Sequence, residues 1–513
     1  MFNLLAALEE SRLSEPARRR LGELRRLFKA DQPPPRHTFS GGGIGSPIPP
    51  EAARRMNDDQ WLRAIAKYNT DRTDWTTMKG GAHELASVLQ NEAAADPDRF
   101  AHLVLRLTAD THPAYIEGMF IGLGNAQTPG TSDLVFDAMR HIASFGYGEH
   151  DRWIAWPLRN NADSPIPDDI IQLLVDRALH GTSEDDRWEE ETRDSGSVGE
   201  RIDSNGINMT RGACVDVLGD ILIHDVDGHL TSLVAPSLNE LASDPSIAVR
   251  SRVGRLIAVC LRHAQPIALD AFQRLIQADD RLLATQYVAD LVVYIAWINA
   301  TTVEPVIRRM IESAYAEVRK TGGQLAAFVG LEFGLVTLME TAKIAEDPAA
   351  REGLALNCAQ RLPLTSDPAR AGALLEELAH DSDDKVRVAV AEVAARLRDE
   401  NLAPFRGVIM SLIDSPSFEP AVDQLLITLE HASDHIDDLI MACALRFVEV
   451  FGTDVGNLST SAAGNADEVG RLILRAYAQA QTPAGRSDAL NLIDKLLMLA
   501  AYRMDELVEA AER

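Results

Sequence analysis

Residues 224–229 read His224-Asp225-Val226-Asp227-Gly228-His229, the densest run of metal-competent side chains in the chain. Two imidazoles and two carboxylates at this spacing could hold a divalent cation, provided the backbone folded all four inward. The run follows an apolar stretch ending at Ile223, so it also reads as an inter-helix turn, with an Asp as cap and Gly228 as the turn residue. The turn is the reading carried forward. His224, Asp225, Asp227 and His229 stay as candidate metal ligands, and a metal-dependent hydrolase using them is the alternative function. A similar group, His431, Asp434, His435, Asp437 and Asp438, sits at an expected helix start, where acids complement the helix dipole. His150–Asp151 resembles a His-Asp dyad with no further ligands near it in sequence.

Other chemistries lack their residues. The Gly-rich stretch in residues 32–50 tempts a phosphate-loop reading. A Walker loop needs Gly-Lys-Ser/Thr, and no lysine lies between Lys29 and Lys67. There is no GxSxG, and no cysteine has a plausible local His partner. Cys214, Cys260, Cys358 and Cys443 are far apart, form no CxxC and lie in apolar runs. They are expected as buried free thiols, which fits a reducing, cytoplasmic setting. No catalytic set and no cofactor is expected.

For binding, the acidic stretch 181–206 stands out. It holds nine acids against three arginines and almost no apolar residue except Trp188. An indole in such company suits a partner contact or packing onto the fold. Trp188 with Glu184, Asp185, Asp186, Glu189, Glu190 and Glu191 is therefore the candidate protein-binding set, and a solvated loop without a role is the alternative. Trp61, Trp75, Trp153 and Trp156 cluster in the first third with Tyr68. Trp61 and Tyr68 share a helical face, so core packing is expected there rather than a groove.

The elements that must position these residues are helices. In 513 residues, 46% are apolar, 25% charged and only 5% aromatic. Segments of 12–18 residues with apolar spacing of three and four recur between short Asp/Pro/Gly/Ser turns, and no stretch alternates convincingly like a strand. The formal net charge of −27 argues against nucleic-acid backbones and anionic membranes. It also makes a basic-grooved, nucleic-acid-acting enzyme a poor alternative. The longest apolar stretch, Leu325 to Met339, is interrupted by Glu332 and falls short of a bilayer span.

The helices repeat. Setting 208–222 over 247–261 places Arg211 on Arg250, a period of 39, with Cys214, Val217, Leu218 and Leu222 over Val253, Leu256, Ile257 and Leu261. Residues 241–260 lie likewise over 378–397, matching Asp244 with Asp381 and Val249–Arg250 with Val386–Arg387. A turn Asp followed by Val-Arg at the start of an apolar helix is the pattern of HEAT repeats. The Asp would satisfy helix N–H groups, the Val would enter the core, and the Arg would bridge to the neighbouring repeat. The expected fold is all-α, a HEAT/armadillo-type α-solenoid superhelix of paired antiparallel helices. The expected parts are a helical segment at 1–30, split near Ser14–Pro16, and a Pro/Gly-rich linker at 31–57. Helical repeats follow at 58–180, then an acidic loop insertion at 181–206 and HEAT-like repeats at 207–513.

Residues 46–69, 80–89, 206–222, 244–254 and 488–499 resemble the C-terminal helical-repeat region of bacterial STAND/NACHT-type antiviral defence ATPases, over roughly 46–511. The resemblance implies a region that senses a viral protein by shape while an ATPase oligomerises. This sequence has no Walker lysine and hence no ATPase module of its own. The expected role is a non-enzymatic scaffold or sensor with a protein partner bearing a basic surface, or a separate ATPase or effector chain.

Overall fold

The computed structural model describes residues 13–28, 44–160, 165–182, 197–433 and 435–511. Among these the regular structure is helical, in 27 α-helices joined by turns and short 3-10 segments. β pairing among the described residues is confined to two isolated bridges, Gly45–Lys79 and Asp74–Lys79. The chain forms two compact units, residues 1–89 and 90–513, a division that falls later than the expected break at 57.

The first unit contains α1 (Glu15–Phe28), α2 (Pro50–Ala53), α3 (Asp58–Lys67) and the start of α4 (Ala82–Ala95). α1 starts at Glu15, at the expected split near Ser14–Pro16, with Pro16 in its first turn, where no amide donor is needed; the expected piece before it lies outside the described residues. The three arginines at 18–20 form a solvated face, with Arg19 paired to Glu15 and Arg20 to Glu23. Residues 44–57 are not simple linker, because they hold α2 and the Gly45 bridge. Asn57 caps α3 through a reciprocal box with Gln60, and α3 buries Trp61, Ala64 and Ile65.

The second unit continues with α5 (Pro97–Val104), α6 (Pro113–Gly124), α7 (Ser132–Ala143), α8 (Asp168–His180), α9 (Val198–Ile207) and α10 (Thr210–Ile223). Next come α11 (His229–Val234), α12 (Leu238–Leu241), α13 (Ile247–Cys260), α14 (Gln265–Leu275), α15 (Gln286–Asn299), α16 (Glu304–Ile311) and α17 (Ala316–Phe333). The remainder are α18 (Val336–Lys343), α19 (Pro348–Arg361), α20 (Pro368–Leu378), α21 (Asp384–Arg396), α22 (Arg406–Asp414), α23 (Phe418–His431), α24 (Asp437–Phe451), α25 (Ser461–Gln479), α26 (Pro483–Met498) and α27 (Met504–Ala511).

These helices stack in two rows. One runs α10, α13, α15, α17, α19, α21, α23, α25, each packed on the next. The other holds α12 with α14, α16 with α18, and α20, α22, α24, α26 in succession, and each of its helices from α14 on also packs on the first row. This is an α-solenoid of the HEAT/armadillo type, in which each helix pair buries its apolar stripe against its neighbours.

Local sequence sets the register. Ser246, Asp347, Asp367 and Asp383 cap α13, α19, α20 and α21 with their side chains, and Pro opens α19, α20 and α26. The aligned positions Cys214, Val217, Leu218, Leu222, Val253, Leu256 and Ile257 are all buried. The period varies, however. Arg319, Arg351 and Arg387 each stand fourth in α17, α19 and α21, so successive units there are shorter than 39 residues.

The α17–α19 contact is close enough to exclude side chains. A Cβ on Gly323 would lie 2.0 Å from the Ala350 carbonyl oxygen, and one on Gly353 would lie 1.8 Å from that of Lys320. Only glycine permits this backbone approach.

Candidate functional site

The 224–229 run forms the turn between α10 and α11. Asp225 is buried, and its Oδ2 accepts from the Thr231 N–H at 2.7 Å and the Thr231 hydroxyl at 2.6 Å. Asp227 accepts from the His229 N–H at 3.1 Å. Gly228 adopts φ +79, and a Cβ there would meet the His263 ring. That ring in turn lies 3.0 Å from the Asp225 carbonyl oxygen. His229 turns away to Asp168 of α8, with Nε2 2.8 Å from Oδ1, and this contact raises its pKa. Burial opposes ionisation of Asp225, but the Thr231 hydroxyl and backbone bonds outweigh it and hold its pKa below the ordinary value.

Of the four metal candidates, Asp225, Asp227 and His229 are thus drawn to different partners. Among the described residues they bring no three ligand atoms within 4.8 Å of one another. At this turn Asp225 serves as a helix cap. Replacing Asp225 with alanine should cost about 2 kcal/mol, the worth of a buried cap. The drop in Tm should be the same with and without EDTA, whereas a metal role would make it chelator-dependent.

The repeat residues follow the pattern, except that the arginines divide between bridging to the next repeat and bonding their own turn. The Asp244 carboxylate accepts from the Ser246 N–H at 2.8 Å, and that of Asp381 from the Asp383 N–H at 2.9 Å. Val249 and Val386 are fully buried. Arg250 and Arg387 do not bridge to the next repeat as expected. Each donates back to the carbonyl of its own turn aspartate, at 2.6 and 2.7 Å. The bridge comes from the preceding repeat: Arg211 reaches Asp244 at 3.2 Å, Arg319 reaches Asp347 at 2.8 Å, and Arg351 reaches Asp381 at 2.7 Å.

Trp188, Glu184, Asp185, Asp186, Glu189, Glu190 and Glu191 lie outside the described residues, as does Asp434. The expected loop 181–206 is corrected at its C-terminal end, where residues 198–207 form α9. Its start is built by a capping box between Ser197 and Glu200. Across the sequence, Glu317 of α17 accepts from the N–H groups of Val198 and Gly199 at 2.9 and 3.4 Å, a carboxylate seated on a helix N-terminus. The Ser-x-x-Glu spacing was a readable start signal; Glu317 carried none.

The remaining candidates are structural. Asp151 is fully buried 3.0 Å from Arg177 Nε, and burial raises its pKa although Arg177 opposes this. His431 lies 3.0 Å from Asp399, and Asp438 pairs with Arg406. All four cysteines are free and buried, and burial pushes the thiols of Cys260, Cys358 and Cys443 up to about 12.

An exposed aromatic surface on α15 escaped the sequence reading. On α15, Val288, Leu291, Val292, Ile295 and Ala296 are buried, whereas Tyr294, Trp297 and Ile298 are 55%, 62% and 44% exposed. Trp297 stands edge-on to Phe333 at 4.9 Å and to Phe328 at 6.2 Å. Those two rings also meet edge to face at 5.7 Å. Arg361 lies 5.2 Å above Phe328 and pairs with Glu332 at 3.1 Å. Burial opposes ionisation of Glu332, but Ser366 and Arg361 hold its carboxyl below the ordinary value. The indole is therefore braced by neighbouring rings. Its sequence, LVVYIAWIN, is apolar on every face, so periodicity could not separate the packed residues from the exposed ones.

Among the described residues no single helix is long and apolar enough to cross a membrane. The pair Gln286–Thr302 and Glu304–Ile311 passes on length and composition alone, with a bend of 109°.

No family model and no curated protein matches this chain. Among solved structures it is similar to a chain in a structure of Kap95p bound to RanGDP, at 12% identity and a TM-score of 0.31, covering 87% of this chain and 61% of that one. An engineered protein matches at 16% identity and a TM-score of 0.21, covering 86% of this chain and 99% of that one. A homology model of the full-length AP-3 complex matches at 12% identity and a TM-score of 0.26, covering 88% and 84%. The chain thus spans about three fifths of the first of these, and at these scores the likeness carries nothing about function or partner.

Proposed function

We propose that this chain is a non-enzymatic helical-repeat scaffold or sensor whose ligand is another protein. The observation that carries the reading is the α15 surface, where Tyr294, Trp297 and Ile298 stand exposed over a rigid Phe328–Phe333–Arg361 base. Exposed Trp and Tyr on a fixed support are what protein interfaces use as energetic anchors. The net charge of −27 favours a partner with a basic surface and makes the association salt-sensitive. The resemblance of residues 206–222 and 244–254 to defence-associated repeats extends the proposal. The partner would be a viral component, or a separate ATPase or effector chain, in bacterial antiphage defence.

The test is a panel of purified phage structural proteins and defence ATPases, titrated against the full chain at low and raised salt. We expect saturable binding to a basic member, weakened by salt. Trp297→Ala should reduce the affinity tenfold or more, about 1.4 kcal/mol or above. Binding confined to acidic proteins or nucleic acid, or unaffected by both salt and Trp297, would overturn the proposal.

A further inference from the structure

We infer that the cleft between α24 and α26 is a second docking site, which takes a basic amphipathic peptide segment of the protein partner. The inference rests on the protein-binding reading above. The cleft has a volume of about 450 Å³. It exists because the residues facing it from α25 and the start of α26 are small, namely Ala476, Ala480 and Gly485. Met441, Leu445 and Leu492 make its apolar walls, and Leu445 is 48% exposed.

Its polar rim selects the occupant. Asp437, Asp438 and Asp488 line the cleft against a single cation, Lys495. Asp438 is bound to Arg406. Asp437 and Asp488 have no ion pair among the described residues, and Lys495 does not reach them. Two carboxylates without an ion pair beside an apolar trough complement an apolar side chain flanked by Arg or Lys. They repel an acidic segment. A trough of this size admits one or two side chains of a helix or strand laid along it, the groove mode of peptide recognition.

The test uses a fluorescent peptide of Leu and Arg at helical spacing, with Glu-for-Arg and Ser-for-Leu versions as controls, titrated against the full chain. The Leu/Arg peptide should bind saturably, and both controls should bind at least tenfold more weakly. Asp437→Asn with Asp488→Asn should weaken binding about tenfold, as should Leu445→Gln, while Glu346→Gln with Glu392→Gln, exposed and outside the cleft lining, should not. Circular dichroism and Tm confirm that each variant is folded. Equal loss from the Glu346 and Glu392 pair would mean only the overall charge is sensed, and equal binding of the Glu peptide would mean no cationic selection; either result overturns the inference. Trp297→Ala should leave this titration unchanged. A failed cleft with an intact Trp297 effect on the protein panel would therefore remove this site alone.

Discussion

Replacing Gly353 with alanine is expected to loosen the centre of the solenoid by about 3 kcal/mol, the upper range for overpacking a tight contact. The added methyl would sit 1.8 Å from the Lys320 carbonyl oxygen. That atom belongs to helix backbone and cannot swing aside as a side chain would. The reciprocal residue, Gly323, is equally tight against Ala350, so α17 and α19 would have to separate along their length. Because a repeat array need not unfold as one unit, the effect is best read locally. Hydrogen exchange should accelerate in α17 and α19 first, and Tm should fall. Gly464→Ala supplies the contrast, since nothing lies within 4 Å of a Cβ there and α25 is helical. It should stabilise by about 0.5–1 kcal/mol through helix propensity alone. Equal behaviour of the two variants would show that the α17–α19 approach is not as close as described.

The second large effect is expected at Asp381. Its carboxylate takes two bonds from Arg351, at 2.7 and 3.2 Å, and one from the Asp383 N–H. Asp381→Ala leaves a guanidinium only 15% exposed without its counter-ion, at a cost of about 3 kcal/mol. Asp381→Asn keeps an acceptor for the amide and should cost less. The pH dependence follows from the direction of the shift. Burial opposes ionisation of Asp381, yet Arg351, the Asp383 amide and Arg387 hold its pKa below the ordinary carboxylate value. A depressed folded pKa contributes stability that is fully present above the unfolded value of about 3.9 and is lost as pH falls through the folded value. Thermal unfolding of wild type and Asp381→Asn should therefore differ at neutral pH and converge in acid. A gap that persisted in acid would assign the loss to packing instead.

Which features could be read from the sequence follows the range of the interaction behind each. The Asp–Val-Arg pattern at 244–250 and 381–387 is local, one turn and one helix start, and its burial and capping are as the pattern demands. The capping box at Ser197–Glu200 is just as local, but two glycines and five polar residues in VGERIDSNGI made that stretch read as loop. Other features depend on partners that no window contains. Glu317 caps a helix 119 residues away, and Gly323 and Gly353 matter only because their helices touch. The arginine bridges run from one repeat to the next: the aligned Arg211 makes one, while Arg387 turns back to its own turn, a choice no single repeat decides. At 224–229 the turn is local and readable, whereas the partners of its side chains are not. Side chains adjacent in sequence are parted by a left-handed Gly228 and by outside partners at Asp168 and Thr231. For Trp297, the surrounding residues are all apolar, and only the stacking of α15 on α13 and α17 decides which face remains open.

The central claim is that the exposed aromatic face of α15 is where this protein meets its partner. The most direct measurement is a hydrogen–deuterium exchange footprint of the full chain, free and saturated with the basic protein selected from the panel. Added protection should appear over residues 290–298 and 328–333, and Trp297→Ala should abolish it. Protection confined to the 224–229 turn or to α1, with residues 290–298 unchanged on binding, would contradict the claim.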